Sequence, residues 1–309
     1  MSSINIDDTL QGYLGDCWVL ATLAAAAEKP ARVWSMFDTK TYNPAGIYSI
    51  RFYELGVPIS VVVDDYLPIS GTQNLFVKAN TPQKETWPLI VEKAFSKLHG
   101  NYHAIEGGWM VDAGNTFLGT GGSSINVSSS TVDVVWTTAL DWDTKGYVMT
   151  AATSASLDGI IGGHAYTFIA AYTLSNGERV FKLRNPWGQS EWTGAYADSD
   201  IYWTNNPGDV TLVGFVYKND GDFIIKVADF QTHFISLAYN YDPTNWKLSY
   251  WLARGNGDTL GVTGTTSYCG ATCKRCTFSV TSAVAQTIYV SVYVQKSAST
   301  SKLPARTQL

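Results

Sequence analysis

The sequence predicts an α+β protein in which a helical lobe is followed by a β-rich lobe and then by a small all-β C-terminal appendage. Three observations lead there. Strong helix formers are concentrated early in the chain, a Gly/Ser/Thr-rich stretch interrupts it at 119–130, and β-branched and aromatic runs broken by Gly, Asn and Asp turns dominate the remainder of the chain. The length of 309 residues suits two domains, or one large domain with an appendage, and the divisions fall at 1–106, 107–228 and 229–309. Hydrophobic residues make up 45% and charged residues 15%, which excludes a disordered chain and a coiled coil. Aromatics at 13% favour a packed mixed fold with aromatic-lined grooves.

Residues 17–28 read Cys-Trp-Val-Leu-Ala-Thr-Leu-Ala-Ala-Ala-Ala-Glu, a buried helix starting near Cys17 that Pro30 cannot continue. Its apolar run is about half of the ~20 residues a membrane span needs. Residues 48–63 alternate as a hairpin with a turn around Gly56-Val57-Pro58. Residues 86–98 form a second, amphipathic helix with Pro88 in its first turn, packing Ile90, Ala94 and Leu98 and turning Leu89, Lys93 and Ser96 away. Gly107-Gly108 and the stretch 119–130, which is too poor in apolar residues to build core, place a hinge between the lobes. Strands follow at 148–152, 165–174 and 179–184, the last two joined by Asn176-Gly177, a strong hairpin signal. From Phe230 onward only strand-like runs occur, such as 234–239 and 287–294. They make an appendage of roughly 70–80 residues, short of the ~100 of a full sandwich, and 303–309 reads as a free tail.

Net charge is −5, from 21 basic and 26 acidic side chains, which argues against nucleic acid or an anionic membrane as partner. The first eight residues lack the basic and apolar regions of a secretory signal. Cys17 stands alone while Cys269, Cys273 and Cys276 cluster far downstream, unlike a disulfide framework. A reducing compartment follows, so the expected location is intracellular and cytoplasmic. The downstream trio lacks the fourth ligand of a closed zinc site and reads as plain thiols.

A cysteine at a helix N-terminus faces unpaired N–H groups and the positive end of the helix dipole, which favour thiolate. Cys17 has that setting. On its own a free cysteine is more often a small buried apolar side chain, so the test is whether an imidazole and an orienting group accompany it. Of four histidines, His99 and His103 flank the end of the amphipathic helix and His233 lies in the appendage. His164 follows Gly162-Gly163 and opens an apolar strand, a rigid support with room for a substrate backbone beside the ring. Asn185, in Arg184-Asn185-Pro186-Trp187-Gly188, has an amide suited to accept the imidazole N–H, although Asn before Pro also fits an ordinary turn. Strict pairing about Asn176-Gly177 sets Asn185 opposite Phe168, so contact with His164 requires the chain to curl after Arg184. The order Cys, His, Asn and its spacing match papain-type enzymes.

Three blocks carry a closer likeness. Gln11-Gly12-Tyr13-Leu14-Gly15-Asp16-Cys17-Trp18, Gly163-His164-Ala165-Tyr166 and Arg184-Asn185-Pro186-Trp187-Gly188-Gln189-Ser190-Glu191-Trp192-Thr193-Gly194 closely resemble the active-site blocks of the calpain family. Ala45-Gly46-Ile47-Tyr48, the Val61 to Pro68 text and Leu89-Ile90-Val91-Glu92-Lys93-Ala94-Phe95 fit in the same order, so the likeness covers roughly residues 4–235. It implies a papain-like two-lobe cysteine protease core with Cys17, His164 and Asn185 as the catalytic set, Gln11 in the oxyanion hole and Trp187 covering the Asn–His bond. It also implies two calcium ions, one per lobe, that draw the lobes together. The first-lobe carboxylates fall on Asp8 and Glu85, the second-lobe ones on Glu191, Asp198, Asp220 and Asp222. Hard oxygen ligands suit calcium, and Gly221 allows a tight loop between two of them. Ile6 stands where the family has an Arg bridging the lobes, which implies a differently set switch. The 229–309 appendage becomes part of a calpain-type β-sandwich, and the short lead before Cys17 implies a portion of a longer protein.

The function expected is a calcium-activated intracellular cysteine endopeptidase acting through a thioester, with protein or peptide substrates as partners; a regulatory subunit is not specified. The alternative is a catalytically silent calpain-like scaffold that binds peptides, which normally shows a lost catalytic residue. A transglutaminase-like acyl transferase is disfavoured because it uses Asp, not Asn, as orienter.

Overall fold

A computed structural model of the chain describes residues 4–79, 85–244, 293–295 and 306–308. A short strand β1 (Thr9–Leu10) leads through a loop into α1 (Cys17–Ala27), whose residues from Trp18 onward are all buried. A helix of Ala, Leu and Val with no polar face has to be enclosed. It is covered by α2 (Pro30–Met36), α3 (Trp87–Leu98) and α4 (Met110–Leu118). Pro30 sits in the first turn of α2, so it ends one helix and starts another, as its preset φ permits.

Strands β2 (Ile47–Glu54) and β3 (Val57–Asp64) form the expected hairpin, but Glu54 pairs with Val57. The turn is therefore Leu55-Gly56, both with positive φ, and Pro58 lies inside the strand. Two-residue hairpin turns need that backbone to match strand twist. Minor strands β4 (Ile69–Ser70), β5 (Gln73–Asn74) and β6 (Lys78–Ala79) come next, and β6 pairs with β1. In α3, Leu89 and Ser96 are buried, contrary to the amphipathic reading, because β3, β6, α1 and the turn at Tyr102–Ile105 surround the helix. Trp18, Phe52, Phe95 and Phe117 meet at ring distances of 5.3–6.0 Å in this first core.

Gly107-Gly108 is a close-packed junction rather than open hinge. The Gly107 N–H donates to Gly15 O at 2.9 Å, and a Cβ on Gly108 would come within 2.5 Å of the Trp18 indole. The stretch expected to contribute no core contains β7 (Gly122–Asn126), an edge strand recruited by backbone bonds, with buried Val127 behind it. Next come α5 (Val132–Thr144), capped by the Thr131 hydroxyl, then β8 (Val148–Thr153), β9 (Ala165–Thr173), β10 (Arg179–Arg184), α6 (Ile201–Asn205) and α7 (Pro207–Val213). Then β11 (Asp222–Lys226), α8 (Val227–His233) and β12 (Phe234–Asn240) complete a six-stranded antiparallel sheet of order β11-β10-β9-β8-β12-β7.

Residues 229–240, read as the start of an appendage, pack with this sheet instead: 229–233 complete α8 and 234–240 form β12, which lies between β8 and β7. Its apolar alternation is that of a central strand, which sequence alone cannot assign to a sheet. His233 correspondingly sits at the end of α8, in contact with Trp192 and Asp158. Beyond 244, β13 (Tyr293–Gln295) pairs with β14 (Arg306–Gln308), so these residues are not a free tail. The rest of the appendage, with Cys269, Cys273 and Cys276, lies outside the described residues. No helix among the described residues is long and apolar enough to cross a membrane. A second core of Phe168, Phe181, Phe230 and Phe234 fills one face of the sheet, while α1 crosses β8 and β9, tied by the Thr167 hydroxyl to Ala21 O at 2.8 Å.

Candidate active site

The site forms where the start of α1 meets the start of β9. Val19 and Leu20 N–H groups donate to Asp16 O, fixing the first turn and with it Cys17. The Cys17 thiol is a free, half-buried group that the Ala165 N–H faces, one residue beyond His164. Burial pushes this thiol above the ordinary cysteine range, and the Asp16 carboxyl adds to the effect; the Ala165 amide and the first-turn amides oppose it. The expectation of a helix-lowered thiol is thus overturned: desolvation outweighs the helix N-terminus in this arrangement.

His164 is clamped through its backbone. Its N–H donates to the Thr153 hydroxyl at 3.2 Å, and the Thr153 N–H donates to His164 O at 3.0 Å. Its ring, 5% exposed, meets Asn185 Oδ1 at 2.9 Å through Nε2. Asn185 is fully buried and cannot turn over. Its Nδ2 donates to Ser190 O at 2.9 Å, and its Oδ1 also accepts the Trp187 N–H at 3.0 Å. With Oδ1 so fixed, the network assigns the imidazole proton to Nε2 and leaves Nδ1 as the basic nitrogen. Burial holds His164 below the usual histidine range, against the opposing Asn185 bond. The Trp187 ring lies 4.9 Å from the imidazole, and the residue is 38% exposed.

Asn185 reaches the ring by a shift in register. Near the turn Arg179 pairs with Thr173, but a bulge between Lys182 and Leu183 moves Arg184 opposite Thr167. The chain then leaves the ladder, and the Asn185 N–H donates to Gly221 O at 2.8 Å. Strict hairpin counting misses this, since a bulge adds one residue to one strand.

Gln11 joins the same place. Its N–H donates to Pro186 O at 2.8 Å, its side-chain Nε2 donates to Leu14 O at 2.7 Å, and its Oε1 is buried without a hydrogen-bond partner. The second Nε2 hydrogen remains for another acceptor. Thr153, Ser190 and the Ala165 amide were not singled out in the sequence: Ser190 and Ala165 act through backbone groups that any residue supplies, and the Thr153 hydroxyl serves the His164 backbone N–H.

The acidic residues fall into two places. Asp8, 2% exposed, accepts from Trp87 Nε1 and the Asn5 N–H, each at 2.8 Å, and feels the buried Glu85. Glu191, Asp198 and Asp220 lie close together: Glu191 accepts the Gly221 N–H at 2.6 Å and faces Asp198, which feels Asp220 and Asp222. Burial pushes Glu191 up to about 7, and its neighbour Asp198 contributes. Asp222 is committed to Arg184 at 2.8 Å and Lys182 at 3.5 Å. Among the described residues no three His, Cys, Asp or Glu side chains close around one point as a preformed metal site.

Free thiol, oriented imidazole and amide are compatible with acyl transfer to sulfur. A family model described as calpain family cysteine protease matches residues 1–240. The chain belongs to the calpain family. Among similar proteins, the calpain-type cysteine protease ADL1 of Oryza sativa subsp. japonica is 34% identical over 248 residues, covering 76% of this chain and 11% of its own length. Calpain-13 of Rattus norvegicus is 31% identical over 242 residues, covering 74% and 36%, and human calpain-12 is 32% identical over 240 residues, covering 74% and 33%. The chain thus spans about a third or less of these calpains, and the matched part is the region that carries α1, the sheet and the site.

Proposed function

We propose that this calpain-family chain is a cysteine endopeptidase that hydrolyses peptide bonds through Cys17, His164, Asn185 and Gln11, under calcium control inside the cell. The observation that carries the reading is the fixed Asn185, which aims the imidazole with Nδ1 unprotonated beside the end of α1 that bears the thiol. The resting pair is neutral, a thiol and an imidazole, as the opposed shifts of Cys17 and His164 indicate. When a peptide carbonyl approaches, His164 Nδ1 takes the thiol proton and Cys17 Sγ attacks the carbonyl carbon. The Cys17 N–H, among the amides without an intrahelical partner, and the second Gln11 Nε2 hydrogen stabilise the developing oxyanion. His164 then gives its proton to the departing amine, leaving a thioester. Water, deprotonated by the same imidazole, releases the acid and restores the thiol.

Glu191, Asp198 and Asp220 suit a hard divalent cation by their chemistry: neighbouring oxygen ligands, of which Glu191 and Asp198 are raised above the ordinary carboxylate range by burial and by the acidic groups around them. Asp8 and Glu85 would contribute to a second site. Calcium, when bound, would supply the positive charge that offsets the repulsion among these carboxylates. The Glu191 carboxylate, the Gly221 peptide and Asn185 lie in one hydrogen-bonded line, so order in the acidic loop is passed to the group that aims His164. Casein digestion in calcium and in excess chelator tests the reading. Cleavage in calcium alone is expected; no cleavage in either condition would contradict it.

A further inference from the structure

A buried pair of acids behind Cys17 has no part in the proposed peptide hydrolysis. Asp16 is fully buried and Glu92, on α3, is 2% exposed. Neither carboxylate oxygen of Asp16 is hydrogen-bonded to an N–H or O–H donor, and Asp16 does not cap α1 with its side chain. The side chain it faces is Glu92, whose other oxygen accepts the Val77 N–H at 2.9 Å. Two carboxyls in contact in a dry interior cannot both be ionised without severe repulsion, so a proton must lie between them. Burial pushes both groups above the ordinary carboxylate range; the Asp16 charge raises Glu92 further, while the contact with Glu92 works against the rise at Asp16. The other titratable groups near the pair are the Cys17 thiol, the buried Tyr102 hydroxyl and, farther off, Asp64. Among these groups none is a cation that could stand in for the proton. Lys93, the neighbour of Glu92, is turned to Asp64 at 2.5 Å.

We propose that Asp16 and Glu92 share a proton, and that this buried acid pair positions the Cys17 end of α1 against α3 and the β1–β6 pair that leads to Gln11. Asp16 is the residue immediately before Cys17, and Val77 immediately precedes β6, which pairs with the strand that ends one residue before Gln11. The tether therefore fixes both the nucleophile and the oxyanion donor of the proposed reaction. Its proton also removes one of the pair's two negative charges beside the thiol. Once the proton is lost at alkaline pH, the charge beside Cys17 disfavours thiolate and the two carboxylates drive α1 from α3. These are positioning residues: neither touches substrate.

This inference rests on the cysteine-nucleophile reading, so the experiment uses two readouts that do not require hydrolysis. In wild-type protein at neutral pH, the infrared difference spectrum against Glu92→Gln should show a protonated-carboxyl band, absent from the variant. The rate of Cys17 alkylation by iodoacetamide, followed against pH, should have a distinct alkaline inflection in wild type that Glu92→Gln and Asp16→Asn displace or remove, because an amide supplies a permanent N–H donor. With peptide substrate, Glu92→Ala should lose kcat by on the order of 10², as expected for small misplacement of reacting groups, with KM little changed, and Glu92→Gln should recover most of it. If Glu92→Ala does not fold, the amide variants alone decide. Absence of the band together with superimposable alkylation profiles would overturn the shared proton. If the band and the profile shift are found in a protein that cleaves no peptide, the pair stands and the endopeptidase reading fails.

Discussion

Asn185 is held by two donors and one carbonyl, so its effect on His164 is one of geometry. Replacing Cys17 with Ser should abolish peptide hydrolysis without a change in melting temperature, because a hydroxyl lacks the acidity of a thiol at this site. His164→Ala should be as severe, and the double variant little worse than either, since the two act as a unit. Asn185→Ala should lose less activity but also stability, about 1–3 kcal/mol, because Ser190 O and the Trp187 N–H lose a buried partner. Denaturant titration beside steady-state kinetics separates the two effects. The raised thiol and lowered imidazole predict slow alkylation of Cys17 by iodoacetamide near neutrality in metal-free protein, rising as pH climbs past the ordinary thiol range. Cys17, His164 and Asn185 were legible because each stands in a distinctive block of sequence. Thr153 and Ser190 were not, since one clamps a backbone and the other offers a carbonyl, which any residue possesses.

Among elements, the bulge that β9 makes against β10, where Ile169 is the extra residue, and the acidic loop before β11 decide whether Asn185 reaches its place. Gly221, at φ +97°, leaves no room for a side chain: a Cβ would lie 2.8 Å from Asn185 O and 2.9 Å from Gly188 Cα. Gly221→Ala should cost about 1–3 kcal/mol and depress kcat as well, read by thermal melting and peptide kinetics. Gln11→Ala should lower kcat by about 10²–10³; an unchanged kcat with a raised KM would place Gln11 in substrate binding. Helices α1 and α3 and the β2–β3 and β9–β10 hairpins were legible from apolar spacing and turn residues. The exact faces were not. α3 is surrounded on nearly all sides, which hides Leu89 and Ser96, and β7 and β12 join the sheet through backbone pairing between residues more than a hundred positions apart. The run 234–239 reads as a strand, but neither segment carries a signal that names its partner strand.

At the scale of the whole molecule, the proposal links acidic loops to a site at the junction of two cores. The Glu191 carboxyl, raised from its ordinary value to about 7, makes the metal-free fold bind a proton that the unfolded chain holds less tightly. Its contribution to stability is therefore fully present below the ordinary glutamate range and lost as pH rises through about 7. Calcium competes for the same oxygens, so calorimetric affinity should increase as pH rises through that range, and Asp198→Asn should raise the calcium needed for half-maximal activity. A calcium affinity independent of pH would remove Glu191 from the ligand set. The central claim, that Cys17 is a nucleophile aimed by His164, is tested most directly by mass spectrometry after reaction with a peptide carrying an electrophilic ketone. The account predicts one adduct per chain, on Cys17, formed in calcium and lost in His164→Ala. An adduct on another cysteine, or equal labelling of Cys17 in His164→Ala, would contradict it.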